Sequence, residues 1–370
     1  MRGDGVPARA LDARALAALA ANPGCSRRAL LDGAGVDKAA LAGALGAPSA
    51  FGQSQFAFMR GNAFEARVKA DGGAELLCLV HRTLDPGAEP PHRADVPDLT
   101  AVGPEGRVAR TSLALREATE AGAWTLLDHP MLALEVAGSP VFLEPDAVVV
   151  HPDGAWTVIE IKSFPMLDGA ADPAKVGAAA RQAAVYVLAL EKVAAFASRP
   201  DGALRVRREV LLVCPKDFSN LPAARAVDVR KQHAVTARQL MRLTRLQDIA
   251  DALPPGVCFA PELPPEELTA AVEAVPATYA PECLAACELA FHCRARSRAQ
   301  GAVTALGRSV RAELGGLSTV DEVLAAAHGE AGDPDDPAVA ALRRAAALRA
   351  EALGAGPGRR DDRSREAACR

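Results

Sequence analysis

Asp146, Glu160 and Lys162, in the stretch EPDAVVVHPDGAWTVIEIKSF, are residue types that can hold a divalent cation against a phosphodiester. The runs around them, AVVV and TVIEI, are almost wholly apolar, and HPDG between them has the composition of a tight turn. A hairpin is therefore expected, bringing Asp146 close to Glu160. Glu160 and Lys162, two apart on one strand, point to the same face. Two carboxylates meeting in an apolar setting need a counter-charge, and Mg2+ or Mn2+ with oxygen ligands supplies it. The backbone carbonyl of Ile161 is expected nearby as a further ligand. Such an ion polarises a phosphodiester and lowers the pKa of a bound water. Lys162 would orient that water or stabilise the developing charge. Glu-x-Lys alone is common on solvent-facing strands. Charges embedded among Val158, Ile159, Ile161 and Phe164 cost stability unless they serve a function.

Two further groups could join this chemistry. Gln182 and Tyr186, in QAAVY, are spaced i to i+4 on an alanine-rich helical stretch and share one face. Their position soon after Lys162 marks them as part of the same site rather than as isolated surface and core residues. Cys283, Cys287 and Cys293 follow the pattern C-x3-C-x5-C, close enough for three thiolates to converge on one metal. Cys25, in PGCSRRALL, is the candidate fourth ligand. Zinc on four cysteines, or on three with His292, and an iron–sulfur cluster are both open on spacing alone. Cys78, Cys214 and Cys258 sit in apolar stretches and read as small core residues, and Cys369 lies in the tail.

Taken together, EPD, EIK and QAAVY resemble the RecB-like branch of the PD-(D/E)XK nuclease superfamily, which includes CRISPR-adaptation exonucleases and the nuclease domains of AddAB helicases. The resemblance covers residues 55–220. It implies a restriction-endonuclease-like core, a central mixed sheet flanked by helices, with Asp146, Glu160, Lys162, Gln182 and Tyr186 catalytic around Mg2+ or Mn2+. In that family an earlier helix adds a His or Glu to the metal. GNAFE, residues 61–65, stands in that place without the His, so Glu65 takes the role beside Asp146, Glu160 and the Ile161 carbonyl. The resembling nucleases carry a 4Fe-4S cluster on one cysteine before the core and three after it. That layout favours iron–sulfur over zinc for Cys25, Cys283, Cys287 and Cys293, although the family's common spacing, C-x2-C-x5-C, is one residue shorter. The cluster would staple the N- and C-terminal helical segments around the core. The implied function is DNA hydrolysis, as an exonuclease on single-stranded or end-containing DNA, in repair, recombination or defence. A helicase or other pathway protein is an expected partner, because the chain has no phosphate-binding loop of its own. The alternatives are an RNA-directed nuclease and a catalytically silent subunit that binds DNA or scaffolds a complex.

The elements that must position these residues can be read from periodicity. Strands are expected at 123–127, 131–136, 141–150, 155–162 and 209–216, and helices near 62–80, over 110–121 and over 172–197. Residues 83–109 read as a loop. Helix, hairpin, helix and strand in this order imply an α/β fold with a mixed sheet. The expected organisation is a helical segment over 1–54 with two short helices, broken at Pro23-Gly24 and Gly33/Gly35, then the nuclease core over 55–220. A basic helical and cysteine-bearing region over 221–300, a helical region over 301–352 and a disordered tail over 353–370 follow. Arg238, Arg242 and Arg245 recur on one helical stripe and are candidate contacts to a DNA backbone. The net charge of −4 gives no global attraction to nucleic acid, so binding must rest on such local patches. Half the residues are apolar but only 4% are aromatic, which disfavours an all-β fold and a base-stacking platform. No apolar run is long enough to span a bilayer, and a cytoplasmic location without membrane contact is expected.

Overall fold

The computed structural model describes residues 1–3, 5–22, 24–48, 55–87, 91, 94–136, 138–197, 205–241 and 246–354. The chain divides into two compact units, Met1–Thr278 with Glu282–His292, and Tyr279–Pro281 with Cys293–Arg370. Before the sheet run α1 (Ala13–Ala21), α2 (Ser26–Gly33), α3 (Lys38–Ala44), α4 (Gln55–Val68), α5 (Ala70–Leu84) and α6 (Gly103–Ala121). The strands are β1 (Thr125–Asp128), β2 (Leu132–Val136), β3 (Ser139–Leu143), β4 (Ala147–Val150), β5 (Trp156–Ile161), β6 (Glu209–Pro215) and β7 (Pro222–Asp228), with α7 (Pro173–Ala197) between β5 and β6. After them come α8 (Arg230–Leu240), α9 (Leu246–Asp251), α10 (Pro265–Glu273) and α11 (Ala290–Ala299). The chain continues through α12 (Arg308–Glu313), α13 (Val320–His328) and α14 (Pro337–Gly354).

A mixed five-stranded sheet in the order β1-β4-β5-β6-β7 forms the centre of the first unit. β5 and β6 are parallel, and every other neighbouring pair is antiparallel. A parallel pair needs a long crossover, and α7 is that crossover. All residues of β4 and β5 are buried, as expected for strands covered on both faces. Alternate residues serve the two cores. Val148, Val150, Trp156 and Val158 pack with Ala183, Val187 and Leu190 of α7 and with Leu16 of α1. Ala147, Val149, Ile159 and Ile161 pack on the other face with Phe64, Val68, Leu76 and Val80 of α4 and α5. In the second unit, α13 is opened by a capping box, in which the Thr319 hydroxyl accepts the Glu322 amide and Glu322 reciprocates. Among the described residues, no helix is long and apolar enough to cross a membrane.

Four expectations are corrected. The run 141–150 is two strands. Pro145 has no amide for a ladder, so the chain breaks at Glu144-Pro145-Asp146, and β3 pairs with β2 in a separate hairpin. Residues 222–228 are an edge strand rather than helix, because pairing with β6 overrides the poor strand propensity of PAARAVD. Among the described residues three helices, not two, precede residue 49, and the chain breaks at Gly24 and again past Gly33. The loop over 83–109 ends early, since α6 starts at Gly103 with Pro104 in its first turn and Glu105 behind it. Residues 355–370, including Cys369, lie outside the described residues.

A tight left-handed turn separates α4 from α5. Asp71, Gly72 and Gly73 have φ of 55°, 65° and 75°. A Cβ on Gly73 would stand 2.2 Å from Leu126 Cδ2 of β1. Gly73→Ala therefore meets an unfavourable backbone region, worth about 1–3 kcal/mol, before the clash is counted. Thermal unfolding of this variant should fall by several degrees, and an unchanged melting temperature would contradict the packing of α5 on β1.

Candidate active site

β4 and β5 form the expected hairpin, with Ala147 opposite Ile159 and Val150 opposite Trp156. Its turn is closed by the His151 amide donating to the Ala155 carbonyl at 2.9 Å, with Gly154 at φ +76°. Asp146 sits just before β4, at the break made by Pro145. Its Oδ2 accepts the Ile161 amide at 2.6 Å. This bond clamps the start of one strand to the end of the next.

Glu160 alternates with Ile159 and Ile161 and so faces α7. It is 1% exposed. Lys162 Nζ forms an ion pair with Glu160 Oε1 and lies 3.8 Å from Asp146 Oδ2. Among the described residues, Glu160 Oε2 is buried with no hydrogen-bond partner. Burial pushes the Glu160 carboxyl up to about 7; Lys162 opposes the rise, and Asp146 and Glu65 add to it. Burial works against the Lys162 ammonium, but Glu160 and Asp146 outweigh it and hold lysine above its usual range.

α7 brings the next two residues. Gln182 Nε2 donates to the Tyr186 hydroxyl at 3.1 Å, and that hydroxyl donates to the Glu144 carbonyl at 3.2 Å. Burial holds the phenol well above its ordinary pKa, with Glu160 and Asp146 reinforcing the effect, so Tyr186 is a neutral donor facing the acidic pair. Glu65 arrives from α4. Its Oε1 lies 3.0 Å from His129 Nε2 and 2.5 Å from Lys69 Nζ, and the His129 bond, then Lys69, hold its carboxyl at about 2 against the opposing effect of burial. The structure thus gathers Glu65, Asp146, Glu160, Lys162, Gln182 and Tyr186 in one neighbourhood.

Several residues here were not singled out by pattern. Lys69 Nζ also pairs with Asp128 Oδ1 and donates to the Asp146 carbonyl, both at 2.6 Å. His129, at φ +45°, is pinned by Arg107, which donates to its carbonyl at 2.9 Å and pairs with Glu144 at 2.7 Å. His129, on the β1–β2 turn, stands beside Glu65. Its only sequence signal is the Asp-His-Pro at the end of an apolar run.

The carboxylates, the partnerless Glu160 Oε2 and the converging strand ends suit a hard divalent cation. Among the described residues no three His, Cys, Asp or Glu side chains are already gathered to grip one. The ammonium groups of Lys69 and Lys162 stand among them instead. A carboxyl with a raised folded pKa stabilises the fold while protonated. For Glu160 that contribution is complete below about 4.5 and is lost as pH rises through about 7. In chelator, Glu160→Gln should therefore raise the melting temperature at pH 8 and change it little at pH 5. A shift of equal size at both pH values would contradict the buried, ionisable Glu160.

The helix that follows Cys25 is tied to the segment carrying Cys283 and Cys287, although among the described residues no three cysteines are gathered as for a metal. Cys25 precedes α2 and is buried, and its amide donates to the Asn22 carbonyl at 3.2 Å. Asn22 Nδ2 reaches Cys283 Sγ at 3.4 Å and the Thr278 carbonyl at 2.6 Å. The Arg27 amide donates to the Pro276 carbonyl at 2.8 Å, and Arg28 donates to the Ala286 carbonyl next to Cys287. Burial pushes the Cys287 thiol up to about 12, with Arg28 opposing. Cys293 belongs to the second unit. Cys214 is buried as expected, and Cys258 is intermediate. Cys78 is corrected: it is exposed, because α5 buries Leu76, Leu77 and Val80 and turns position 78 away. Arg238 is exposed on α8, whereas Arg242 and Arg245 lie outside the described residues. Compared with protein-family models and with curated proteins, the chain matches none.

Proposed function

We propose that this chain is a metal-dependent DNA nuclease of the RecB-like PD-(D/E)XK kind, with a restriction-endonuclease-like core. Asp146, Glu160, Glu65 and the Ile161 carbonyl would hold Mg2+ or Mn2+. The observation that carries this reading is the meeting of Asp146 and Glu160 where β4 begins and β5 ends. One carboxylate is oriented by the Ile161 amide, the other is sealed from solvent with an oxygen lacking a hydrogen-bond partner, and Lys162 adjoins both. A bound divalent ion supplies counter-charge and polarises the phosphodiester. Lys162 places a fixed cation where negative charge develops as a P–O bond to water forms and the ester bond breaks. Gln182 and Tyr186 tie α7 to Glu144 and keep the wall of the site in register. Exposed Arg238 is a sequence-blind backbone contact at most.

We also assign Cys25, Cys283 and Cys287, all in the first unit, to a structural 4Fe-4S cluster. The ties from Asn22, Arg27 and Arg28 to residues 275–286 support this assignment. A broad visible absorption band in the purified protein would support iron, and a colourless, zinc-loaded protein would overturn it. For the nuclease site, calorimetric titration should show Mn2+ binding that weakens at least about 10-fold in Asp146→Asn. Equal affinity in the variant would remove Asp146 from the metal site.

A further inference from the structure

The Lys69 ammonium is caged by oxygen. Glu65 Oε1 lies at 2.5 Å, Asp128 Oδ1 at 2.6 Å and the Asp146 carbonyl at 2.6 Å. His129 Nε2, which donates to Glu65, stands 3.0 Å from the ammonium and is no acceptor for it. The side chain is 11% exposed. Three oxygens, two of them anionic, converging on one point are a ligand set for a hard cation. The set shares Glu65 with the proposed metal site, and shares Asp146 through its other end, the carbonyl rather than the carboxylate. The geometry is held from both sides: the left-handed turn Asp71–Gly73 ends α4 just past Lys69, and Arg107 pins the turn that carries His129.

Many phosphodiesterases use two divalent ions about 3.5–4 Å apart, one on each side of the reacting phosphate. Resting on the nuclease reading above, we propose that the Lys69 ammonium is a tethered cation filling the second of two adjoining cation positions, so that the site takes a single divalent ion. Its tether makes the cation independent of metal supply. It also fixes Glu65 and the main chain at Asp146 before any ion arrives. Lys69 is thus a positioning residue rather than a catalytic one. Asp128, which pairs with Lys69 and lies 3.8 Å from His129 Nε2, becomes a ligand only when the ammonium is gone.

Counting bound Mn2+ by calorimetry on the full chain tests this. Wild type should bind one ion, and Lys69→Ala should bind two, with Asp128→Ala added to Lys69→Ala returning the count to one. Lys69→Arg, which keeps the cation, should bind one. Melting temperatures report folding independently: the loss caused by Lys69→Ala in chelator should be largely recovered by Mn2+. Two ions on the wild type, or one on a folded Lys69→Ala, overturns the proposal while leaving the nuclease reading intact. No Mn2+ on the wild type overturns both. If Lys69→Ala does not fold, the wild-type and Lys69→Arg counts still decide, since either taking two ions defeats the tethered cation.

Discussion

Lys162→Ala is expected to slow DNA hydrolysis by about 10²–10³-fold, the usual loss when one preorganised charge-stabilising group is removed. Mn2+ uptake should survive, because Asp146, Glu160 and Glu65 remain. The reasoning is geometric. Lys162 is the first residue after β5, its amide bound to the Val213 carbonyl of β6 at 2.9 Å, so its position is set by the sheet and not by a loop. Its ammonium is paired with a fully buried carboxylate and is held in the charged form. A group so placed contributes most when negative charge grows nearby in a dry setting. Rates measured on end-labelled DNA, with calorimetry on the same preparation, separate the two roles. An unchanged rate would remove Lys162 from catalysis, and lost metal binding with lost activity would make it structural.

Asp32→Ala carries the largest expected loss of stability. Asp32 is buried, and its Oδ2 accepts from Arg28 Nε at 2.9 Å while Oδ1 pairs with Lys38. Arg28 is itself 5% exposed. Removing one partner of a buried pair leaves an uncompensated charge and costs about 3–5 kcal/mol. Lys38 can turn toward Glu288, 3.8 Å away, so Arg28 bears most of the penalty. Because Arg28 also holds the Ala286 carbonyl, the same change should loosen the segment next to Cys287 and bleach any visible band. The melting temperature should fall by about 10 °C. A fall of only a degree or two would mean that the pair is solvated.

Much of this site was legible because it obeys simple periods. Glu160 and Lys162 share a face by the two-residue period of a strand, and Gln182 and Tyr186 by the turn of a helix. HPDG names its own hairpin. What escaped notice depends on tertiary pairing. β7 is rich in alanine and forms only because β6 offers an edge. Pro145 hides a strand break inside an apolar run, and Asp146 falls at that break. His129 reaches the site through a left-handed turn, a backbone feature that non-glycine residues adopt under tertiary constraint and do not advertise. Lys69, by contrast, stands one helical turn after Glu65, a spacing the sequence does carry. Cys78 shows the converse: an apolar neighbourhood in sequence does not say which side of a helix is covered.

Asp146, Glu160 and Lys162 are proposed to hydrolyse phosphodiesters with a divalent ion. Incubating the wild-type chain with end-labelled single-stranded DNA, in Mn2+ and in chelator, tests it most directly. Shortened products in Mn2+ that vanish in chelator and in Lys162→Ala are the predicted result. Intact DNA under Mg2+ and Mn2+ alike, from a folded protein that binds the metal, would contradict it.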